Sequence, residues 1–164
     1  MPATFEPIAS TTLSSAAPSI TFSSIPGTYT DLRLVLVATT TTGTSCYLRF
    51  NSDTGTNYSR TELYANGSNA FSSGGSSQEQ ISFLVNSIST TIPTFVTADI
   101  FSYAGSTFKT CLTSASQDEN GSGAVGRFVG LWRSTSAITS VNLFFYSGNF
   151  ATGTTATLYG IKSA

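Results

Sequence analysis

The side chains that could do chemistry in this chain are few, and the gaps among them decide much. The sequence holds 164 residues with no histidine, two cysteines, seven Lys or Arg and eight Asp or Glu. A Ser-His-Asp or Cys-His arrangement needs an imidazole to carry the proton, so neither can be assembled. Histidine metal sites go with it, and Cys46 and Cys111 are too few for a thiolate zinc site. The run GGSS at residues 74–77 lacks both the lysine and the following helix of a phosphate loop. Two carboxylates flanking a glycosidic bond remain conceivable, drawn from Glu6, Glu62, Glu79, Glu119, Asp31, Asp53, Asp99 and Asp118. Asp118 and Glu119 belong to the turn sequence QDENGSG, however, and Glu62 next to Arg60 on one strand face reads as an exposed ion pair. The loop NSDTGTNYS (51–59) offers oxygens from Asn51, Asp53 and Asn57, as a calcium loop would. It has no bidentate glutamate and no flanking helices, and Asn and Asp commonly bond their own backbone in turns. The reading is a structural turn, with no catalytic residue, metal or cofactor expected.

Aromatic side chains are the other reserve: Tyr29, Tyr47, Tyr58, Tyr64, Phe71 and Trp132 could stack on sugar rings. A lone Trp in an alternating strand reads more simply as core or interface. These residues sit in a chain that is only 9% charged, against roughly 25% for an ordinary domain. Apolar residues make up 40%, with 12 Phe and 7 Tyr, and Ser and Thr supply most of the polar alternation. Rings and Thr favour strands, and helix formers are sparse. Disorder is excluded by the same abundance of aromatic and β-branched residues. A net charge of −1 gives no footprint for nucleic acid. No apolar run approaches the ~18 residues that span a membrane, and no basic-plus-apolar leader is evident. The expectation is synthesis in the cytoplasm and no membrane partner. Cys46 in SCYLRF and Cys111 in FKTCLTS fall in apolar-alternating runs, which predicts two buried thiols; pairing between them needs geometry to judge.

The elements that must position these residues are strands. Alternation predicts them at 5–13, 19–23, 31–38, 45–50, around 61–65, and at 80–86, 95–103, 108–114, 126–132, 140–146 and 155–161. That is about ten, at the spacing of a sandwich or barrel. Pro26-Gly27 supplies a turn, and 66–77, rich in Gly, Ser and Asn, reads as a flexible stretch. In 31–38, Leu32, Leu34 and Leu36 face one way and Val35 and Val37 the other. In 95–103, Val96, Ala98 and Ile100 face the core, while Phe95, Asp99, Phe101 and Tyr103 form a second face that reads as a subunit contact with a polar anchor. So few charges cannot guard exposed sheet edges, which points to closure or self-assembly. The predicted fold is all-β: one domain over 1–164, an antiparallel β-sandwich of jelly-roll type.

Four stretches together resemble a family of virion proteins of tailed bacteriophages, common in phages of aquatic bacteria and cyanobacteria. They are FEPIASTTLSSAAPSITFSSIPGTYTDLRLVL (5–36), LRFNSDTGTNYSRTELY (48–64), VGLWRSTSAITSVNLF (129–144) and GNFATGTTATLYGIKSA (148–164). The phrases FNSDTG, GLWRST and LYGIK are the specific part; residues 66–92 match least. The resemblance implies a structural protein of the particle, a jelly-roll sandwich assembling as a homotrimer, posted on the capsid as a decoration (cement) protein. Its partners would be itself and the major capsid protein or another virion protein. The alternative post is a receptor-binding domain of a fibre or tail appendage that touches host glycan. For capsid contact the expectation falls on Phe5, Glu6, Pro7 and Ile8 of an N-terminal arm (about 1–14), because a terminal arm can add to a neighbour's sheet edge. Trp132, Arg133, Phe150 and Tyr159 are expected at the trimer interface, as residue types enriched in hot spots. Tyr58 and Tyr64 are the glycan candidates under the alternative.

Overall fold

A computed structural model describes residues 4–162, the side chains of 83–87 excepted. Among the described residues the regular elements are twelve strands: β1 (Phe5–Thr12), β2 (Ser19–Phe22), β3 (Asp31–Ala38), β4 (Thr44–Phe50), β5 (Tyr58–Ala65), β6 (Ala70–Gln78), β7 (Ile81–Ile88), β8 (Thr94–Phe101), β9 (Lys109–Asp118), β10 (Gly123–Trp132), β11 (Val141–Phe144) and β12 (Thr155–Ile161). They form an eight-stranded sheet ordered β1-β12-β3-β8-β9-β10-β5-β6 and a four-stranded sheet ordered β2-β11-β4-β7. Every ladder is antiparallel.

Setting aside β5, β6, β9 and β10, the other eight strands counted along the chain lie as 1-8-3-6 in one sheet and 2-7-4-5 in the other. That is the jelly-roll order of nested Greek keys. The four strands set aside are two hairpins that widen the first sheet beyond β8. Each hairpin closes with the chemistry its turn demands. Asn120 and Gly121 both take positive φ, 57° and 94°, the geometry of a two-residue Asn-Gly turn between antiparallel strands. In the other turn the Asn66 side-chain oxygen accepts from the amides of Ser68 and Asn69.

The core lies between the sheets and follows the alternation. Leu32, Leu34 and Leu36 of β3, Val96, Ala98 and Ile100 of β8, and Ala156 and Leu158 of β12 meet Ile20, Phe22, Cys46, Leu48, Phe50, Ile81, Val141 and Leu143 from the smaller sheet. Cys46 and Cys111 are both buried and free, and burial pushes both thiols well above their ordinary range. Glycine sets how closely the layers approach. On β10 the inward positions read Gly126, Phe128, Gly130, Trp132, and a Cβ at Gly130 would lie 2.6–2.7 Å from the Ile81 side chain. At Gly160 the Tyr29 ring occupies the same kind of space, 2.3–2.5 Å from a would-be Cβ.

Several expectations need correction. Residues 66–77 are not a loose stretch: they contribute the turn and most of β6, which pairs along β5. Its Ser and Gly residues carry no apolar alternation because an edge strand open to water has nothing to bury. Tyr103 does not share the outer face of β8. The strand ends at Phe101, and Tyr103 turns inward, fully buried, its hydroxyl donating to the Pro26 carbonyl and accepting from the Tyr29 amide. The Arg60–Glu62 pair, 3.1 Å apart, is not exposed either; the Glu62 side chain is 3% accessible. These positions face inward, where the smaller sheet gives out.

Gly130→Ala is expected to destabilise the protein by about 1–3 kcal/mol through overpacking, measured by denaturant unfolding. The cost should shrink when Ile81→Ala is made together with it. Gly27→Ala, whose Cβ would meet nothing nearer than 3.9 Å, should leave the midpoint close to wild type.

Candidate functional site

Two of the three specific sequence phrases, FNSDTG and GLWRST, meet inside the molecule. Phe50, Tyr58 and Trp132 pack as a ring cluster, with the Trp132 ring 5.7 Å from Phe50 and stacked at 6.3 Å and 18° on Tyr58. The Trp132 indole Nε1 donates to Asp53 Oδ2 at 2.7 Å. The same carboxylate accepts from the Gly55 amide and the Asn57 side chain. Burial would raise the Asp53 carboxyl, but the bonds from Trp132, Asn57 and Gly55 together outweigh it and leave it below its ordinary value. Asn51 is spent in the same way: its amide donates to the Ala137 carbonyl and its oxygen accepts from the amides of Thr139 and Ser140. The 51–57 loop is therefore a hydrogen-bonded turn that ties β4 and β5 to the segment after β10.

This geometry corrects three expected contact residues. Trp132 is 3% exposed, and Tyr58 and Phe150 are fully buried. Phe150 packs on Phe145 at 4.3 Å and its backbone bridges Ala17 and Thr40. None of the three offers a surface to a second molecule, and Tyr58 offers none to a glycan; burial pushes its hydroxyl up to about 12. Trp and Phe are favoured in hot spots and Tyr in sugar stacking, but cores favour the same rings equally. Arg133 is exposed, yet it straps the same loop, donating to the carbonyls of Thr56 at 2.5 Å and Asn57 at 3.5 Å. Tyr64 is half-buried and stacked on Phe71 at 4.9 Å.

The expected arm is β1 of the chain's own sheet, paired along β12 with a shift between Pro7 and Ala9; its residues 1–3 lie outside the described residues. Phe5 and Pro7 are exposed, while Ile8 packs against the core. Glu6 is anchored to Lys162 at 3.1 and 3.2 Å and accepts from the Tyr29 hydroxyl at 3.2 Å. Those bonds, Lys162 first, hold its carboxyl below the usual range.

What remains for contact is the outer face of the eight-stranded sheet. Phe5 packs on Tyr159 on that face, ring centroids 4.9 Å apart and tilted by 41°, under the Arg33 guanidinium. Arg33 in turn closes a two-point pair with Asp99 on the neighbouring strand, at 2.5 and 2.8 Å. Beyond it, Val37, Phe95, Phe101, Val125, Val129 and Leu63 all stand exposed, and the ladder registers place them with Thr, Ser and Leu112 across β3, β8, β9, β10 and β5; Phe108, also exposed, lies just ahead of β9. Phe95 and Val125 also line an open cleft of about 610 Å³ with Ile92, Pro93 and the β9–β10 turn. Val37 of β3 and Phe95, Asp99 and Phe101 of β8 are legible in the sequence as part of this face; Leu63, Val125 and Val129 are not. The available signal was apolar residues at both parities of 125–132, since a strand with one wet face does not need them. Among the described residues no three His, Cys, Asp or Glu side chains group as a metal site would require.

Comparison with family models, with curated proteins and with solved structures found no match for the chain.

The Asp53 latch makes two predictions. Asp53→Ala leaves the buried indole N–H unpaired and should cost about 1–3 kcal/mol, read from the fluorescence of the single tryptophan during unfolding. Asp53 and Glu6 both have depressed folded pKa values, so their stabilisation is complete above their unfolded values near 3.8 and 4.5 and is lost as pH falls through the folded ones. Stability should be flat from pH 5 to 8 and fall below about pH 4, and the double variant Glu6→Gln, Asp53→Asn should flatten that fall.

Proposed function

We propose that this chain is a non-enzymatic structural protein of a tailed-bacteriophage particle: a homotrimeric decoration protein that binds the major capsid protein or another virion protein and stabilises the head. The observation that carries the reading is the outer face of the large sheet, broad, apolar and nearly free of unpaired charge. A protein that works by presenting such a surface needs neither cofactor nor titrating group. The resemblance in FNSDTG, GLWRST and LYGIK supplies the phage context. A jelly-roll frame holding its face rigid agrees with a part that clamps rather than moves. Each standard-sized contact, about 1,600 Å² in total, gains by repetition over a shell, because linked contacts multiply. A receptor-binding role would draw its glycan contacts from Tyr64 and the 66–77 hairpin without Tyr58, which the core retains.

Antibody labelling of intact particles is the direct test. Gold over the whole head is the expected outcome; gold confined to the tail would replace this reading with the adhesion one, and unlabelled particles would end both. The trimer mass should be the same from pH 5 to 8, where no histidine titrates, and should persist to molar salt. Dissociation on modest salt addition would show that ionic contacts hold it instead.

A further inference from the structure

The charged side chains of this protein are almost all satisfied internally. Arg33, Arg49, Arg60 and Lys162 pair with Asp99, Glu79, Glu62 and Glu6. Lys109, fully buried, donates to the Gly105 and Thr107 carbonyls. Arg133 holds the Thr56 and Asn57 carbonyls. Asp31, Asp53 and Asp118 accept from backbone amides or the indole, and Glu119 accepts from Gln117. Among the described residues Arg127 alone has no such partner. It stands exposed on the outer face, in register with Ser114 on one side and Leu63 on the other. Val125 and Val129, its same-face neighbours on β10, are 60% and 44% exposed.

We infer that this face is where a second copy of the chain docks, with Arg127 as its polar anchor at the centre of an apolar patch. The extent of the face suits that occupant. Seven steps of about 4.8 Å between strands and about six residues of 3.3 Å along them give roughly 34 by 20 Å, about 700 Å². A stable interface takes about 800 Å² from each partner. Charge suits it as well. Beside the mutually neutralising Arg33–Asp99 pair, the outward charges are few and of both signs, Arg127 on β10 and Asp31 and Asp118 at the ends of β3 and β9, so no single-sign field opposes an identical chain. An acidic or basic partner, by contrast, would find no complementary field. The guanidinium would reach hydroxyl or carbonyl oxygens of the incoming copy, the Arg-in-an-apolar-ring arrangement typical of interface hot spots. Much of the patch lies on β9, β10 and β5, so the two added hairpins are what enlarge a jelly-roll sheet to interface size. The inference rests on the self-assembly half of the proposed function and not on the location in the particle.

The test is the solution mass of the full chain at micromolar concentration, by light scattering and sedimentation, for wild type, Arg127→Ala and Val129→Lys. The Arg127 side chain makes no internal bond, so at a concentration where both chains are monomeric Arg127→Ala should unfold at the wild-type midpoint, while the association constant falls about tenfold or more, the effect of losing one anchor. Val129→Lys should give a folded monomer, checked by the tryptophan spectrum. Should Val129→Lys fail to fold, Leu63→Lys, at a 59% exposed position near the sheet edge, should give the same monomer. A wild-type monomer, or folded variants that associate as wild type does, would overturn the inference. A wild-type dimer that the variants dissociate would uphold it while removing the trimer from the proposed function, and neither result depends on where antibodies label the particle.

Discussion

Four strands cannot cover eight. The smaller sheet of this sandwich spans about half the width of the larger one, and most of the other features follow from that mismatch. Under β12, β3 and β8 the inner face is covered and reads as unbroken aliphatic core. Toward β10 and β5 the cover thins to β7, and the interior changes character. Gly130 lets Ile81 come close enough to fill the gap. Past it the inward positions carry Arg60 and Glu62 as a pair, with Arg60 also bonded to Gln78. A charge pair placed there is cheaper than in the centre of the core, because water reaches the guanidinium end. The same widening that strains the inside doubles the outside, and gives the large sheet a second face with no layer of its own.

The scarce charges work as pins rather than as a solvation layer. Three of these contacts join pieces distant in sequence: Arg33 to Asp99 across β3 and β8, Glu6 to Lys162 at the two ends of the described chain, and Asp53 to Trp132 between the β4–β5 loop and the end of β10. Asn51 does the same with neutral bonds, holding three backbone groups of residues 137–140. Pins of this kind fix loops against the sandwich at both ends and leave the outward surface to hydroxyls and apolar side chains.

The jelly-roll frame was legible in the sequence because a strand buried on one face writes period-two alternation, and β3, β4, β8 and β12 all do. β6 was not, since alternation requires something to bury and AFSSGGSSQ lies open at the sheet edge. Assigning rings to core or contact failed for a related reason. Trp132 and Tyr58 have side chains suited to contact, but nothing in their spacing tells whether the face they share looks toward the other sheet or toward another molecule. Register decides it, and register came from the β10–β5 ladder. The outward valines carried the usable clue. Val125 and Val129 occur at the parity opposite to Phe128 and Trp132, which a strand needs only when both of its faces are to be covered.

That clue bears on how such a surface can remain specific. An apolar face with no charge pattern has little to discriminate with, and an open patch of this size invites indefinite association. Closed symmetry is the escape, because a ring or pair that buries the face completely leaves none exposed to recruit more copies. Specificity then rests on shape and on the single unmatched donor. A buried guanidinium without acceptors costs more than the apolar contact around it returns, so only an arrangement that offers Arg127 oxygens in the right place is stable. One unsatisfied cation among the valines of β10 is thus enough to select a register from the many that apolar packing alone would tolerate.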